Sequence, residues 1–215
     1  MSNKEIQEAR MRSYFIEATK ELLKGEGLKS VSVRNIAEKA GYSYATIYNY
    51  FRDVKELVFI CVKDFQEECA EFVQVETQTE PHGAGKLKAM YMAYIRYFIQ
   101  YPGIFELFFL ERLSDISSGM EAPELIYYFL DRLTEKDWKI LTGESMIDEE
   151  TASRGMSEMN MMISGLMLFY LNRHMPPVYE EFISRASQLI SGAIDNYIKI
   201  GSSPSGGHQD NLWSY

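Results

Sequence analysis

The sequence predicts an all-α fold: a small N-terminal three-helix unit containing a helix-turn-helix, then a larger helical body, with about nine helices in total. Three observations carry this. Apolar residues recur at the three- and four-residue spacing of amphipathic helices along most of the 215 residues. Gly, Pro and capping Ser or Asp residues punctuate those runs where helices start and stop. Neither an Asn-Gly hairpin turn nor a long period-two alternation occurs, so no sheet is expected.

The first helix is expected over 4–24, with Met11, Phe15, Ala18, Leu22 and Leu23 on one face. Gly25-Glu26-Gly27 ends it, because glycine accepts the left-handed cap. Ser30 or Ser32 caps a short second helix that stops at Ala40 before Gly41. Ser43 caps a third over 44–51, and Asp53 caps a fourth that runs to about 75. Residues 77–85 read as a loop. Further helices are expected over 86–101, stopped by Pro102-Gly103, and over 104–113. After a polar break at 114–119 come 123–141, then 148–173, ended by Pro176-Pro177, and 178–200. The expected division is 1–56, 57–200 and a Gly/Ser-rich tail at 201–215 that reads as disordered.

Bulk composition narrows the class. With 46% hydrophobic and 25% charged residues the chain reads as a soluble globular protein. Two cysteines, Cys61 and Cys69, supply neither a disulfide framework nor a zinc site, and suit a reducing cytoplasm. Neither a targeting segment nor a membrane span is apparent. The net charge of −9 is unevenly spread. Residues 1–55 hold ten Lys and Arg against seven acids (+3), and the remainder 12 against 24 (−12). A basic head on an acidic body is compatible with nucleic-acid contact through the head alone.

Catalysis is not expected. His82, His174 and His208 are scattered, and none belongs to a Glu-x-x-His or His-x-x-x-His metal pair. Gly85-Lys86-Leu87 lacks the leading glycine and the Ser/Thr of a phosphate loop, and no nucleophile turn is recognisable. No metal or cofactor is expected.

The informative stretch is 30–57, SVSVRNIAEKAGYSYATIYNYFRDVKEL. Gly41 lets the chain reverse tightly enough for the third helix to cross the second, and Ala37 is small enough to permit the approach. Ile47 and Phe51, four apart, would pack inward. Tyr44, Ala45, Thr46, Tyr48, Asn49 and Tyr50 are left on the outer and flanking surfaces. Tyrosines at helical spacing are usually core or interface, so a subdomain that packs on a partner is the alternative.

This stretch resembles the DNA-binding domain of the tetracycline-repressor (TetR) family. The matching residues are Val33-Arg34-x-Ile36-Ala37, Ala40-Gly41-x-Ser43 and Ile47-Tyr48-x-Tyr50-Phe51, followed by Glu56-Leu57. The resemblance covers about 14–57, a quarter of the chain. It implies a recognition helix lying in the major groove of double-stranded operator DNA. By position, Arg34 would meet a guanine edge or a phosphate, and Tyr44, Ala45 and Thr46 would meet base edges. Ser32, Tyr48 and Tyr50 would hold phosphates, with Ser43 and Asn49 in the same surface. The family usually has a lysine at the position of Val54; here it falls one place later, at Lys55.

Beyond residue 60 the resemblance implies architecture only: a helical body with a ligand pocket, and two last helices forming a four-helix homodimer interface. Met156, Met159, Ile163, Leu166, Met167 and Tyr170 mark one apolar face, with Ser164-Gly165 as a small spot for close approach. Phe182, Ile183, Ala186, Leu189, Ile190, Ala193, Ile194 and Tyr197 mark another. Packing on the subunit's own core is the other reading of both faces. Pocket candidates are Met90, Tyr94, Tyr97, Phe98 and Phe105, with Phe108, Phe109, Tyr127 and Tyr128. The expectation is a cytoplasmic homodimeric repressor released from a palindromic operator by an unidentified small-molecule effector. The competing expectation is a helical ligand-binding or protein-interaction module that never touches DNA.

Overall fold

A computed structural model describes residues 2–112 and 121–201. Among them the secondary structure is helical throughout. The α-helices are α1 (Asn3–Glu26), α2 (Val33–Ala40), α3 (Tyr44–Ile47), α4 (Val54–Glu76) and α5 (Ala84–Gln100). They continue as α6 (Pro102–Phe109), α7 (Glu121–Tyr127), α8 (Phe129–Gly143), α9 (Glu149–Met167) and α10 (Tyr179–Gly201). A 3-10 turn (Leu28–Ser30) precedes α2, and α9 runs on into a π-helical segment (Leu168–Asn172).

Two apolar clusters organise these helices. The head packs Phe15, Ala18 and Leu22 of α1 against Ile36 and Ala37 of α2, Ile47, Phe51 and Leu57. Fully burying one such side chain stabilises by about 1.5–3 kcal/mol, which lets so small a unit hold its shape. The body is built around α5, which packs on α4, α6, α8, α9 and α10. Its sequence explains this: Leu87, Met90, Tyr91, Ala93, Tyr94, Tyr97 and Phe98 are buried on one side and Met92 and Ile95 on another, so apolar contact extends around most of the helix. Trp138 of α8 donates its indole N–H to the Tyr91 hydroxyl at 2.8 Å, so the bulkiest buried side chain leaves no orphan donor. Gly155 of α9 makes room for that ring; a Cβ there would stand 2.6 Å from the Trp138 edge.

Head and body share α4: Leu57 belongs to the head cluster and Val58 to the body cluster, while Val54 packs against both. Charge reinforces the joint. Lys20 meets Glu68 at 2.5 Å and Asp64 at 3.7 Å, and Lys24 meets Glu68 at 2.7 Å, binding α1 to α4. The start of α6 also abuts α1, where a Cβ on Gly103 would collide with the Leu23 carbonyl oxygen.

The segment expected as one helix over 123–141 is two helices, α7 and α8, meeting at Tyr128. Asn160 of α9 donates to the Tyr127 carbonyl at 3.0 Å and so satisfies a group that the break exposes. The helix expected to run to 173 changes pitch after Met167. The breaks expected at 114–119 and the tail beyond 201 lie outside the described residues.

Candidate nucleic-acid interface

Most local devices at the turn follow from their residue types; the exception is Ser43, which sits at the N-cap of α3 but makes no side-chain capping hydrogen bond. Ser32 Oγ accepts from the Asn35 N–H at 3.2 Å and caps α2. Ser30, the other cap candidate, instead sends its hydroxyl back to the Gly27 carbonyl at 2.8 Å. Gly41 closes α2 in the left-handed conformation (φ 76°, ψ 26°), and the next amide, Tyr42 N–H, donates to the Ala37 carbonyl at 2.9 Å. That is the glycine-capped reversal expected from the sequence. Asp53 caps α4 by accepting from the Glu56 N–H at 2.8 Å.

The third helix is shorter than expected. Regular α geometry covers only Tyr44–Ile47, and the chain from 48 to 50 continues as tight turns. Bonds of the i to i+3 type replace α bonds there, with Asn49 N–H on Thr46 and Tyr50 N–H on Ile47. Arg12 explains the tightening. Its guanidinium donates to the Tyr50 carbonyl, lies 4.3 Å over the Phe51 ring and comes within 3.9 Å of Glu56. One α1 side chain thus ties down the far end of the segment, a role that no motif in the sequence signals.

Ile47 and Phe51 are buried, as expected. Opposite them, Tyr44 (66% exposed), Ala45, Tyr48 (56%) and Asn49 face solvent, with Arg34 and Ser32 exposed beside them. Ser43 and Thr46 are joined hydroxyl to hydroxyl at 2.9 Å, so Thr46 is only partly open. Tyr50 departs from the expectation of a free phosphate donor: it is half-buried, its ring 6.1 Å from Phe15. Val54 and Lys55 explain each other. Val54 packs inward between the two cores, and Lys55, one residue on, is exposed.

The pocket candidates divide sharply. Met90, Tyr94, Tyr97, Phe98 and Phe105 are buried in the body core. Phe108, Phe109, Tyr127 and Tyr128 do line a cleft of about 650 Å³ between α6, α7 and α9. Sequence reasoning missed its other walls: Ile126 and Met161 are apolar, Asn160 and Ser164 neutral, and Glu111 and Glu124 acidic. Nothing in a helical pattern distinguishes these from ordinary surface. Arg96 of α5 pairs with Glu76 at 3.3 Å.

The two expected dimer faces are divided, with Leu189 exposed, Met156, Leu166, Tyr170, Ile183 and Ala193 partly buried, and the remainder inside. Met159, Ile163 and Met167 of α9, and Phe182, Ala186, Ile190, Ile194 and Tyr197 of α10, are buried in the protein's own core. Large apolar residues left outside include Met161, Leu168, Phe169, Met175, Val178 and Leu189. Burial pushes the thiols of Cys61 and Cys69 well above the usual range, which leaves both as inert core residues. Among the described residues no His/Cys/Asp/Glu group is arranged to hold a metal, and no helix is long and apolar enough to cross a membrane.

Comparisons with known proteins fit this geometry. Residues 15–59 match the family model described as bacterial regulatory proteins, tetR family. No curated protein sequence matches the chain. Solved structures share the fold at low identity. A TetR family transcription regulator from Marinobacter aquaeolei VT8 aligns at TM-score 0.62 and 19% identity, covering 88% of this chain and 97% of its own. The fatty acid degradation regulator FadR from Bacillus halodurans aligns at 0.65 and 15%, covering 85% and 95%. RolR, in complex with resorcinol, aligns at 0.62 and 14%, covering 94% and 97%. The family match falls on the capped turn and its exposed third helix, so this N-terminal segment is similar to the tetR family of bacterial regulatory proteins.

Proposed function

We propose that the protein is a homodimeric repressor that binds a palindromic operator through α2 and α3 and leaves it when a small molecule occupies the cleft beside α7. The observation that carries this is the exposed rim of α3, held across α2 by the Gly41 reversal. In this reading Tyr44, Ala45 and Thr46 meet base edges, and Arg34 meets a guanine or a phosphate. Ser32, Ser43, Tyr48, Asn49 and Lys55 hold phosphates and set the register, with Tyr50 acting mainly as a packed support.

A dimer places two recognition helices about 34–36 Å apart, one turn of DNA. The dimer face in this proposal is the outer side of α9 and α10, where Phe169 is 60% exposed and Leu168, Met175, Val178 and Leu189 accompany it. An apolar patch of this kind favours a self-complementary partner. Release requires the effector to bind the low-affinity form better than the DNA-bound one, since equal affinity shifts nothing. The aromatic walls of the cleft support a small organic effector, in keeping with resorcinol in the similarly folded RolR.

Gel-shift titration with DNA from upstream of the protein's own gene and its neighbours tests the reading. The expected outcome is a sequence-specific, salt-sensitive shift. Binding equally weak to every fragment at all salt concentrations would leave the competing ligand-binding module as the better account.

A further inference from the structure

We infer that the cleft between α6, α7 and α9 selects a lipophilic organic cation. The inference rests on the reading of this cleft as the effector site and adds the chemistry of the effector. Its described walls combine two features that together favour positive charge. The first is aromatic: Phe108, Phe109, Tyr127 and Tyr128, with the two tyrosine rings edge to face at 4.9 Å. Ring faces attract a cation through their quadrupoles, most strongly where water is displaced.

The second feature is charge of one sign. Glu111 and Glu124 are the ionisable groups among the described lining residues, and neither has an ion-pair partner among the described residues. Glu111 is half-buried and Glu124 exposed. The bases nearest in sequence do not line the cleft: Arg112 points to solvent, and Arg132 donates to the Leu125 carbonyl at 2.7 Å. An anionic effector would therefore meet uncompensated like charge. A neutral one would leave two carboxylates facing an apolar body. A flat or globular cation with an apolar shell answers both walls, and the volume suits a molecule of several rings.

Isothermal titration of the full chain with tetraphenylphosphonium and tetraphenylborate separates charge from shape, because the two ions are nearly the same size. The expected result is phosphonium binding tighter by about tenfold or more. The double variant Glu111→Gln/Glu124→Gln should lose most of that preference, while the charge-matched control Glu71→Gln/Glu180→Gln keeps it. Borate binding as tightly as phosphonium, no binding of either ion, or a preference that survives the double variant would overturn the inference. A gel-shift arm, run on an operator fragment that the protein binds, keeps the two readings apart. If a neutral phenol such as resorcinol releases the DNA and phosphonium does not, the effector site stands and its cationic character falls. If phosphonium binds through the carboxylates yet the DNA stays bound, the cation site stands and its role as effector falls.

Discussion

Arg12 shows how much of the DNA-facing geometry depends on a side chain outside it. It lies on α1, yet its guanidinium takes the Tyr50 carbonyl and covers the Phe51 ring. A hydrogen bond to a charged group contributes about 1.5–3 kcal/mol, so Arg12→Ala should lower the unfolding free energy on that order. Operator affinity should fall with it, because the end of α3 loses its anchor; a thermal melt and a gel-shift on the same variant check both. On the surface itself, Tyr48→Ala should weaken binding to all sequences alike, whereas Arg34→Ala or Thr46→Ala should change which sequence is preferred. Equal losses for all three on every operator variant would contradict that division. Beneath the head, Lys20 faces two carboxylates that behave oppositely. Burial pushes Asp64 up, helped by Glu67, Glu17 and Glu68, despite Lys20. Burial also acts to raise Glu68, but hydrogen bonds from Lys20 and Lys24 outweigh it and hold it below the usual range. A depressed carboxylate stabilises above its unfolded pKa and loses that contribution as pH falls through the folded one. A raised carboxylate has the opposite sign. At pH 7, Glu68→Gln should therefore lower the melting temperature and Asp64→Asn should leave it level or higher. The Glu68→Gln deficit should shrink as the pH falls through the range where a carboxylate protonates.

At the scale of elements, close approaches between helices set the fold's tolerances. Gly155→Ala would drive a methyl into the Trp138 ring, and overpacking of this kind costs about 1–3 kcal/mol. Gly143→Ala, where a Cβ meets nothing within 4 Å, is the control. Denaturant melts should separate the two clearly; equal stabilities would mean that α8 and α9 sit farther apart than described. The same elements explain what was legible in the sequence. Caps and glycine turns act locally, so Ser32, Gly41 and Asp53 could be read from residue type and position alone. An apolar stripe is ambiguous in a way that a cap is not. Met159 and Ile163 look the same in sequence whether they meet their own core or a second subunit, and here they meet their own core. The aromatics of α5 were equally ambiguous between pocket and core. Distance in sequence hid the rest: Arg12 acts 38 residues away, and one cleft is lined by both Glu111, just past α6, and Asn160 of α9.

Across the whole molecule, charge and apolar surface divide the labour. The positive head and the negative body favour contact with DNA at one end only, so the proposed operator binding is expected to weaken as salt rises. Several of the exposed apolar residues, Leu168, Phe169, Met175 and Val178, fall between α9 and α10, with Leu189 on α10. Phe169→Glu/Leu189→Glu should turn a dimer into a folded monomer in sedimentation velocity and lower operator affinity at the same time; a variant that stays dimeric would place the interface elsewhere. The central claim is that the exposed edge of α3 reads sequence. Selection of bound fragments from a random DNA pool tests it most directly. The account predicts enrichment of one palindrome whose half-sites lie one helical turn apart, with the preferred sequence altered by Thr46→Ala and by Arg34→Ala. A pool that emerges without any common sequence would contradict it.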